Sequence, residues 1–196
     1  QIYLKRYLSK PITSDNINEA EEFFKSYGEP FNRKGWEYIL DKYDGYMPVT
    51  IKAAPEGTII PKSNVQITIE SIDKNVYWIA PYLEAQLVRI WYPSTVATYS
   101  RNCRKILKYY SDISSDEPDK LLNIKLHDFG GRGTECWESS GIGGAAHLSS
   151  GSTGSDTCVG IKFANKYYNC KMSAKSIPAS EHGTITPWGK DHEIDA

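Results

Sequence analysis

The sequence predicts an α+β lobe with antiparallel strands, followed by the opening strand–helix units of an α/β lobe. Three observations lead to this prediction. Apolar residues recur at helical spacing over residues 14–43, they alternate at period two over residues 47–72, and short apolar runs alternate with glycine-rich segments after residue 120. A change in the spacing of apolar residues along one chain is typical of a protein whose helices and strands are first segregated and then alternate.

Two helices are predicted at the start of the first lobe. Residues 14–27 can be capped by Ser14 or Asp15 and end at Gly28, and residues 33–43 end just before Gly45. Because a stripe at this period usually faces a core, we expect the apolar side chains of both helices to be buried. The two stripes are Ile17, Ala20, Phe23, Phe24 and Tyr27, and then Trp36, Ile39, Leu40 and Tyr43.

The rest of the first lobe contains a hairpin and a long helical stretch. Val49, Ile51 and Ala53 alternate with polar residues, as do residues 65–70, which predicts an antiparallel hairpin with one buried face. Residues 77–110 return to a helical period. Pro93 removes a backbone donor within this stretch, so we expect a kink or two separate helices there.

An acidic, serine-rich segment separates the two predicted lobes. Residues 111–120 contain Pro118 and read as a loop, which places the boundary between a lobe of residues 1–115 and a lobe of residues 116–196. After this boundary the pattern predicts a short strand, a glycine- and alanine-rich helix, a Ser/Gly loop and two further short elements that are strands or a strand and the start of a helix. These segments are residues 124–129, 137–148, 149–155, 157–163 and 176–179.

Composition narrows the function classes. The 196 residues carry 23 basic and 24 acidic side chains, a formal net charge of −1 that gives no field to attract nucleic acid or an anionic membrane. No apolar run reaches the roughly 18 residues that a membrane-spanning helix needs. The four cysteines are scattered without a Cys-x-x-Cys pair, so we expect reduced thiols in a cytoplasmic protein and no metal site built on them.

Three groups of polar residues are candidates for chemistry. Residues 127–133 follow a predicted strand with an aromatic ring, three glycines and Arg132, which suits the approach of a phosphate to the backbone. Residues 180–189 place His182 and Glu181 among hydroxyl side chains. Asp156 ends the Ser/Gly loop. Each has a structural alternative: a glycine turn with a surface arginine, an exposed histidine, and a helix cap, respectively.

Taken together, these segments resemble the nicotinamide phosphoribosyltransferase family. The strings that carry the resemblance occur in order along nearly the whole chain, at residues 35–40, 42–45, 51–57, 91–101, 125–133, 141–148, 154–157 and 176–193. Family members are longer than this chain, so we expect an interior portion or a truncated member. Gly131 and Pro187 depart from the family pattern, which marks the chain as divergent.

The resemblance implies a role for each candidate residue. Phe129 matches the aromatic residue on which the pyridine ring stacks, and Asp156 and Ser176 match the residues that bind the amide and line its pocket. Arg132 matches the arginine near the substrate phosphates. His182 matches the histidine that family members phosphorylate with ATP, so the catalytic pair implied by the resemblance is His182 and Arg132.

The implied activity is that of a pentosyltransferase. It condenses nicotinamide with 5-phosphoribosyl-1-pyrophosphate to give nicotinamide mononucleotide and pyrophosphate in NAD salvage. The resemblance further implies Mg²⁺ with ligands outside this chain, ATP as a coupling substrate, a barrel-like phosphoribosyltransferase domain and a homodimer formed through the helices around residues 84–110. We expect the 196 residues by themselves to lack part of the site. The alternative is a truncated, non-catalytic paralogue that acts as a binding or interaction protein.

Overall fold

The computed structural model describes residues 1–192 and 194–195. Over this part of the chain it consists of helices and a two-stranded antiparallel sheet, and the helices and strands occur in the order given next. They are α1 (Ser14–Tyr27), α2 (Arg33–Tyr43), β1 (Val49–Ala53), β2 (Ile67–Ser71), α3 (Ile79–Leu87), α4 (Trp91–Ser114), α5 (Trp137–Ser149), α6 (Cys158–Tyr168) and α7 (His182–Ile185). Short 3₁₀ turns connect several of them, and Leu4–Leu8 forms a π-helical turn at the start. None of the described helices combines the length and the apolar character that crossing a bilayer requires.

The first two helices lie where the sequence predicts them, but the cap of α1 differs. Thr13, not Ser14 or Asp15, is the capping residue: its hydroxyl accepts from the backbone of Asn16 at 3.3 Å, and the Asn16 side chain accepts from the backbone of Thr13 at 3.1 Å. This reciprocal pair satisfies two amide donors that the first turn leaves without partners. Gly28 ends α1 in the left-handed conformation, as predicted.

The apolar stripes of α1 and α2 differ in how far they are buried. In α2, Ile39 is fully buried and forms part of a core cluster. In α1, Ile17 is buried, whereas Phe23 and Tyr27 are 61% and 69% exposed, so the prediction that this whole stripe faces a core is wrong. The exposed rings stack on one another with centroids 5.8 Å apart instead.

The predicted hairpin is confirmed. Strands β1 and β2 pair antiparallel, with Val49 opposite Ser71 and Ile51 opposite Ile69, and residues 54–66 connect them. Val49 and Ile69 pack from the half-buried face of the sheet against a core cluster of Ile39, Val76, Ile79 and Leu83. This cluster joins the sheet to α2 and α3.

A buried carboxylate also ties α2 to the segment after β2. Asp73 Oδ2 accepts hydrogen bonds from Tyr38, Lys42 and Tyr43 at 2.9, 2.8 and 2.7 Å, and its Oδ1 accepts from the backbone of Asn75 at 2.8 Å. The bond from Lys42, followed by that from Tyr43, holds the pKa of Asp73 well below its usual value. Because all these bonds favour the ionised carboxylate, the network stabilises the first lobe at neutral pH.

The long helical stretch divides before the proline. Helix α3 ends at Leu87, residues Val88–Ile90 form a 3₁₀ turn, and α4 begins at Trp91. Pro93 therefore lies in the first turn of α4, where a missing backbone donor costs no intrahelical hydrogen bond. The prediction of two helices is confirmed, with the break a few residues earlier than Pro93.

The predicted loop between the lobes is shorter than residues 111–120. Helix α4 continues to Ser114, because Ser111 is buried and its hydroxyl donates to the carbonyl of Pro118 at 2.8 Å. The prediction of a strand over residues 124–129 is wrong. Ile124 and Lys125 donate from their backbones to the carbonyl of Leu121 in a turn, and within residues 124–129 only Asp128 forms a strand bridge to another segment.

The elements that follow are mainly helical. The glycine- and alanine-rich helix is confirmed as α5, whereas residues 158–163 belong to helix α6, so the prediction of a short strand over residues 157–163 is wrong. Residues 176–179 form neither helix nor strand. In place of the predicted strand–helix alternation, the described residues of this region form isolated parallel bridges between Asp128 and Ser155 and between Gly154 and Lys175, and a barrel-like domain stays a prediction.

Glycines let α5 and α6 approach closely. A Cβ on Gly144 would lie 2.7 Å from the Cα of Gly160, and a Cβ on Gly160 would lie 2.6 Å from the Cα of Gly144, so either side chain would force the helices apart. A second core cluster forms beside this crossing, from Ile2, Ile142, Ala145, Ala164 and Tyr167. Ile2 shows that the start of the chain packs on the helices near its end. This crossing fixes the loop that carries Asp156.

Candidate functional site

Three chain segments run side by side in the same direction. Asp128 pairs with Ser155 and Gly154 pairs with Lys175, both as parallel bridges. The backbone of Asp156 donates to the carbonyl of Asp128 at 2.9 Å, and the backbone of Ser155 donates to that of Lys175 at 3.2 Å. Parallel neighbours end at the same edge, so the residue that follows each bridge comes to one place.

The residues at this edge are three of the predicted site residues. Phe129 follows Asp128, Asp156 follows Ser155, and Ser176 follows Lys175. Ser176 donates its hydroxyl hydrogen to Asp156 Oδ1 at 2.8 Å. The structure therefore brings Asp156 and Ser176 into direct contact, with Phe129 on the adjoining segment.

Asp156 is held by a histidine as well. His127 Nε2 lies 2.9 Å from Asp156 Oδ1, the same oxygen that accepts from Ser176. The His127 side chain is 6% exposed and the Asp156 side chain is 38% exposed, so the carboxylate lies at the surface with a buried ring behind it. Among the described residues, no donor reaches Asp156 Oδ2.

These contacts keep Asp156 ionised. The hydrogen bond from His127, followed by that from Ser176, lowers the pKa of the carboxyl below its usual value, while partial desolvation opposes the shift. Both bonds favour the charged form because an ionised carboxylate is purely an acceptor. At neutral pH the site therefore presents a negative acceptor.

An aromatic ring lies on the other side of His127. The ring centroids of His127 and Phe129 are 4.7 Å apart, with planes tilted by 45°. Phe129 is half exposed, and its ring is accessible to a flat ligand. Phe129 and His127 flank Asp128, which forms the parallel bridge, and the contact between their rings shows that the two side chains lie on the same side. One face thus combines an aromatic surface with a carboxylate.

Glycine is required where the backbone passes behind His127. A Cβ on Gly154 would lie 2.6 Å from His127 Nδ1, which is closer than real side-chain carbons approach. Nδ1 is buried and has no hydrogen-bond partner among the described residues. Gly154 therefore lets the ring sit against the backbone with Nε2 directed at Asp156.

Arg132 lies in the turn that follows Phe129. Residues Gly130–Gly133 form a 3₁₀ turn, which starts where Asp128 Oδ1 accepts from the backbone of Gly130 at 2.8 Å. The backbone of Gly131 donates to the hydroxyl of Thr157 at 3.1 Å, which ties the turn to the start of α6. Arg132 is exposed, and within the described part of the chain no carboxylate forms an ion pair with it. Its guanidinium is accordingly available to an anion.

His182 stands apart from this group in the structure. Its side chain is 85% exposed at the start of α7, and Nε2 lies 3.0 Å from Glu181 Oε1. No hydrogen bond or ring contact between described residues joins it to Phe129, Asp156 or Ser176. Of the site residues that the resemblance implies, the structure therefore joins Asp156 to Ser176 and leaves His182 apart from them.

Two open grooves lie away from this edge, in the first lobe. They have volumes of about 450 and 330 Å³ and share Gln66, Val88 and Ile90, where β2 meets the junction of α3 and α4. The residues that the structure describes contain no group of three or more His, Cys, Asp or Glu side chains that could hold a metal ion. All four cysteines are unpaired, as predicted.

Sequence reasoning gave no role to His127 or Gly154. Both belong to strings that carry the family resemblance, but neither has a property that marks it in the sequence alone. The available signal was spacing: His127 precedes Phe129 by two residues, which on an extended segment places both on one face. That the same face meets Asp156 depends on a contact between segments 29 residues apart.

Comparison with known proteins shows which family the sequence of this chain resembles. Residues 1–51 match a family described as nicotinamide phosphoribosyltransferase, N-terminal domain, and residues 124–196 match the nicotinate phosphoribosyltransferase (NAPRTase) family. A nicotinamide phosphoribosyltransferase of Xanthomonas campestris is 43% identical over 196 residues, which is 100% of this chain. The chain belongs to the nicotinamide phosphoribosyltransferase family.

A second relative is less similar, and both relatives are longer than this chain. A nicotinamide phosphoribosyltransferase of Acinetobacter baylyi is 28% identical over 162 residues, or 81% of this chain. The chain spans 42% of the Xanthomonas protein, and the match to the Acinetobacter protein covers 32% of that protein. The family resemblance inferred from the residues is thereby confirmed.

Proposed function

We propose that this protein is a nicotinamide phosphoribosyltransferase, which joins nicotinamide to 5-phosphoribosyl-1-pyrophosphate and releases pyrophosphate. The observation that carries the proposal is the edge where Phe129, Asp156 and Ser176 meet. An accessible aromatic ring beside an ionised carboxylate with one open oxygen suits a flat heterocycle that bears an amide donor. Nicotinamide has this shape and this donor.

Asp156 would select the amide over the acid. Its open oxygen would accept a hydrogen bond from the carboxamide nitrogen of nicotinamide. Nicotinate would bring a second negative charge to the same oxygen, and the two carboxylates would repel each other. The lowered pKa of Asp156 supports this role, because the acceptor stays ionised at the pH of the reaction.

The remaining residues would serve the transfer step. The ring nitrogen of nicotinamide attacks carbon one of the ribose as the bond to pyrophosphate breaks, through a state with positive charge on the sugar. Stacking on Phe129 would hold the ring in line, and Arg132 would stabilise the departing phosphates. Because Phe129 immediately precedes the turn that carries Arg132, the ring and the cation would be positioned by one piece of backbone.

The cofactors belong to the same proposal. We propose that Mg²⁺ accompanies the pyrophosphate and that its ligands lie outside the described residues, which contain no group of three or more His, Cys, Asp or Glu side chains that could hold it. His182 would take a phosphoryl group from ATP, and its high exposure supports access by a nucleotide. The chain spans 42% of the Xanthomonas relative, so we propose that residues beyond these 196 complete the phosphoribosyl and magnesium contacts.

We also propose a cytoplasmic homodimer, with a barrel-like catalytic domain formed around residues 116–196. Several large apolar side chains of α4 are exposed, as expected for a helix that a second copy covers. They are Trp91, Tyr99, Ile106, Tyr109, Tyr110 and Ile113. Sedimentation of the native-length protein should give twice its chain mass, whereas a single chain mass would contradict the dimer.

The activity is tested by supplying both pyridines to the native-length protein. With phosphoribosyl pyrophosphate and Mg²⁺, we expect nicotinamide mononucleotide to form, faster when ATP is present. Nicotinate should react at least about tenfold more slowly, because Asp156 repels it. Mass spectrometry of the products measures both reactions. A preference for nicotinate, or no product from either pyridine, would refute the proposed function and favour a binding protein.

A further inference from the structure

We propose that His127 is a positioning residue for the transfer reaction, which holds Asp156 so that Oδ2 alone is presented to the substrate amide. The proposal rests on the function proposed above and adds a second layer of residues to that site. It starts from a contact between described residues: His127 Nε2 lies 2.9 Å from Asp156 Oδ1.

The direction of this hydrogen bond follows from the chemistry of its two partners. An ionised carboxylate oxygen accepts and cannot donate, so Nε2 of His127 carries the hydrogen. Nδ1 is the nitrogen that a neutral ring leaves without a hydrogen. It is buried, without a partner among the described residues, and a hydrogen placed there would be a buried donor with nothing to bind. The surroundings therefore favour the tautomer that serves Asp156.

The geometry then divides the two oxygens of Asp156. Oδ1 receives both His127 and Ser176, from two different chain segments, while no described residue donates to Oδ2. Two donors fixed on one oxygen prevent the carboxylate from rotating freely about its last bond. The second oxygen is consequently the one that faces solvent and any ligand amide.

His127 can do this because it cannot move away. Its side chain is 6% exposed, a glycine at position 154 leaves just enough room beside Nδ1, and the centroid of the Phe129 ring lies 4.7 Å from that of the imidazole. The same imidazole thus contacts both the carboxylate and the aromatic ring of the proposed pocket. A rigid second layer of this kind sets how precisely the residues that touch a substrate are placed.

Replacement of His127 tests the proposal in the native-length protein. His127→Leu removes the donor and keeps much of the volume. We expect the KM for nicotinamide to rise about tenfold, as for loss of a hydrogen bond to a charged group. The KM for phosphoribosyl pyrophosphate should stay within about twofold, since its contacts lie elsewhere. The preference for nicotinamide over nicotinate should fall by a similar factor.

Two further variants separate positioning from a loss of stability. His127→Gln places an amide nitrogen near the position of Nε2, and we expect it to recover most of the affinity for nicotinamide. Tyr43→Phe removes one donor from Asp73 in the first lobe, a matched change to a carboxylate away from the site. It should lower the melting temperature and leave both KM values unchanged.

The outcomes distinguish the two proposals. If the wild-type protein forms nicotinamide mononucleotide while His127→Leu keeps its KM for nicotinamide within twofold, the positioning role is overturned and the proposed function stands. The positioning role is also overturned if His127→Leu raises both KM values together and His127→Gln restores neither. If the wild-type protein forms no product, the proposed function fails and this inference fails with it.

Discussion

Two aspartates of this chain use their oxygens in opposite ways. Asp73, just after β2, accepts hydrogen bonds at both oxygens, from three side chains of α2 and one backbone amide, and its side chain is 7% exposed. Asp156, between α5 and α6, accepts from His127 and Ser176 at one oxygen. A carboxylate offers about four acceptor positions. Asp73 is saturated by its own chain, whereas Asp156 keeps positions for a donor from outside.

The number of open acceptor positions separates the carboxylate proposed to bind substrate from the structural one. The pKa of both aspartates is lowered, in each case first by a hydrogen bond from a basic side chain, so the direction of the shift does not separate them. The number of hydrogen-bond donors at each oxygen does separate the two aspartates. A saturated carboxylate is a structural anchor, and a carboxylate fixed at one oxygen is prepared for a ligand.

The largest expected effects come from removing each carboxylate in turn. Asp156→Ala should reduce kcat/KM for nicotinamide roughly 10- to 100-fold, the range for a lost hydrogen bond to a charged acceptor, with a small change in melting temperature. Asp73→Ala should lower the melting temperature strongly and change kcat/KM little, because it leaves two tyrosine hydroxyls and a lysine of α2 without their acceptor. Kinetics and thermal unfolding of both variants measure the contrast.

The contrast between the two aspartates is contradicted if Asp73→Ala lowers activity or if Asp156→Ala lowers stability. Equal losses of activity in both variants would mean that Asp73 also contributes to the site. A large drop in melting temperature for Asp156→Ala, with kcat/KM unchanged, would mean that Asp156 is the structural anchor. Asp73→Asn serves as the control for charge, since it keeps the shape of the side chain and one acceptor oxygen.

Sequence reasoning located one of these aspartates and missed the other. Asp156 could be singled out because it ends a Ser/Gly loop inside a string that carries the family resemblance. Asp73 lies in an ordinary stretch after β2, and its donors on α2 are 30 to 35 residues away, a distance that no local pattern encodes. Periodicity predicted α1, α2, the hairpin and α5 well because those patterns are local.

The errors in the predicted fold have the same origin. Phe23 and Tyr27 have the spacing of a buried stripe, yet the described residues provide no element that covers them. Residues 124–129 have the composition of a strand, but strand formation depends on neighbours that pair with it, and here one residue pairs. Partners distant in sequence decide both cases, so composition and period alone could not.

The stability that Asp73 contributes should depend on pH. Its pKa in the folded protein lies below the value of about 3.9 in an unfolded chain, so the stability it contributes is complete above the unfolded value and is lost as the pH falls through the folded value. The difference in melting temperature between wild type and Asp73→Asn should therefore be constant from about pH 7 to pH 5 and shrink below about pH 4. A difference that grows on acidification would contradict this assignment.

The smallest expected effect tests whether Asp156 Oδ1 needs both of its donors. Ser176→Ala removes one hydrogen bond of 2.8 Å, from a neutral hydroxyl to the carboxylate, and leaves His127 in place. We expect the KM for nicotinamide to rise roughly two- to fivefold, less than for the His127 variant, because one donor still holds the carboxylate. Combining Ser176→Ala with His127→Leu measures the coupling between the two donors. If both donors fix the same oxygen, the rise in KM for the double variant should exceed the product of the two single rises, because the carboxylate then turns freely. A strictly multiplicative result would show that His127 and Ser176 act on Asp156 independently of each other.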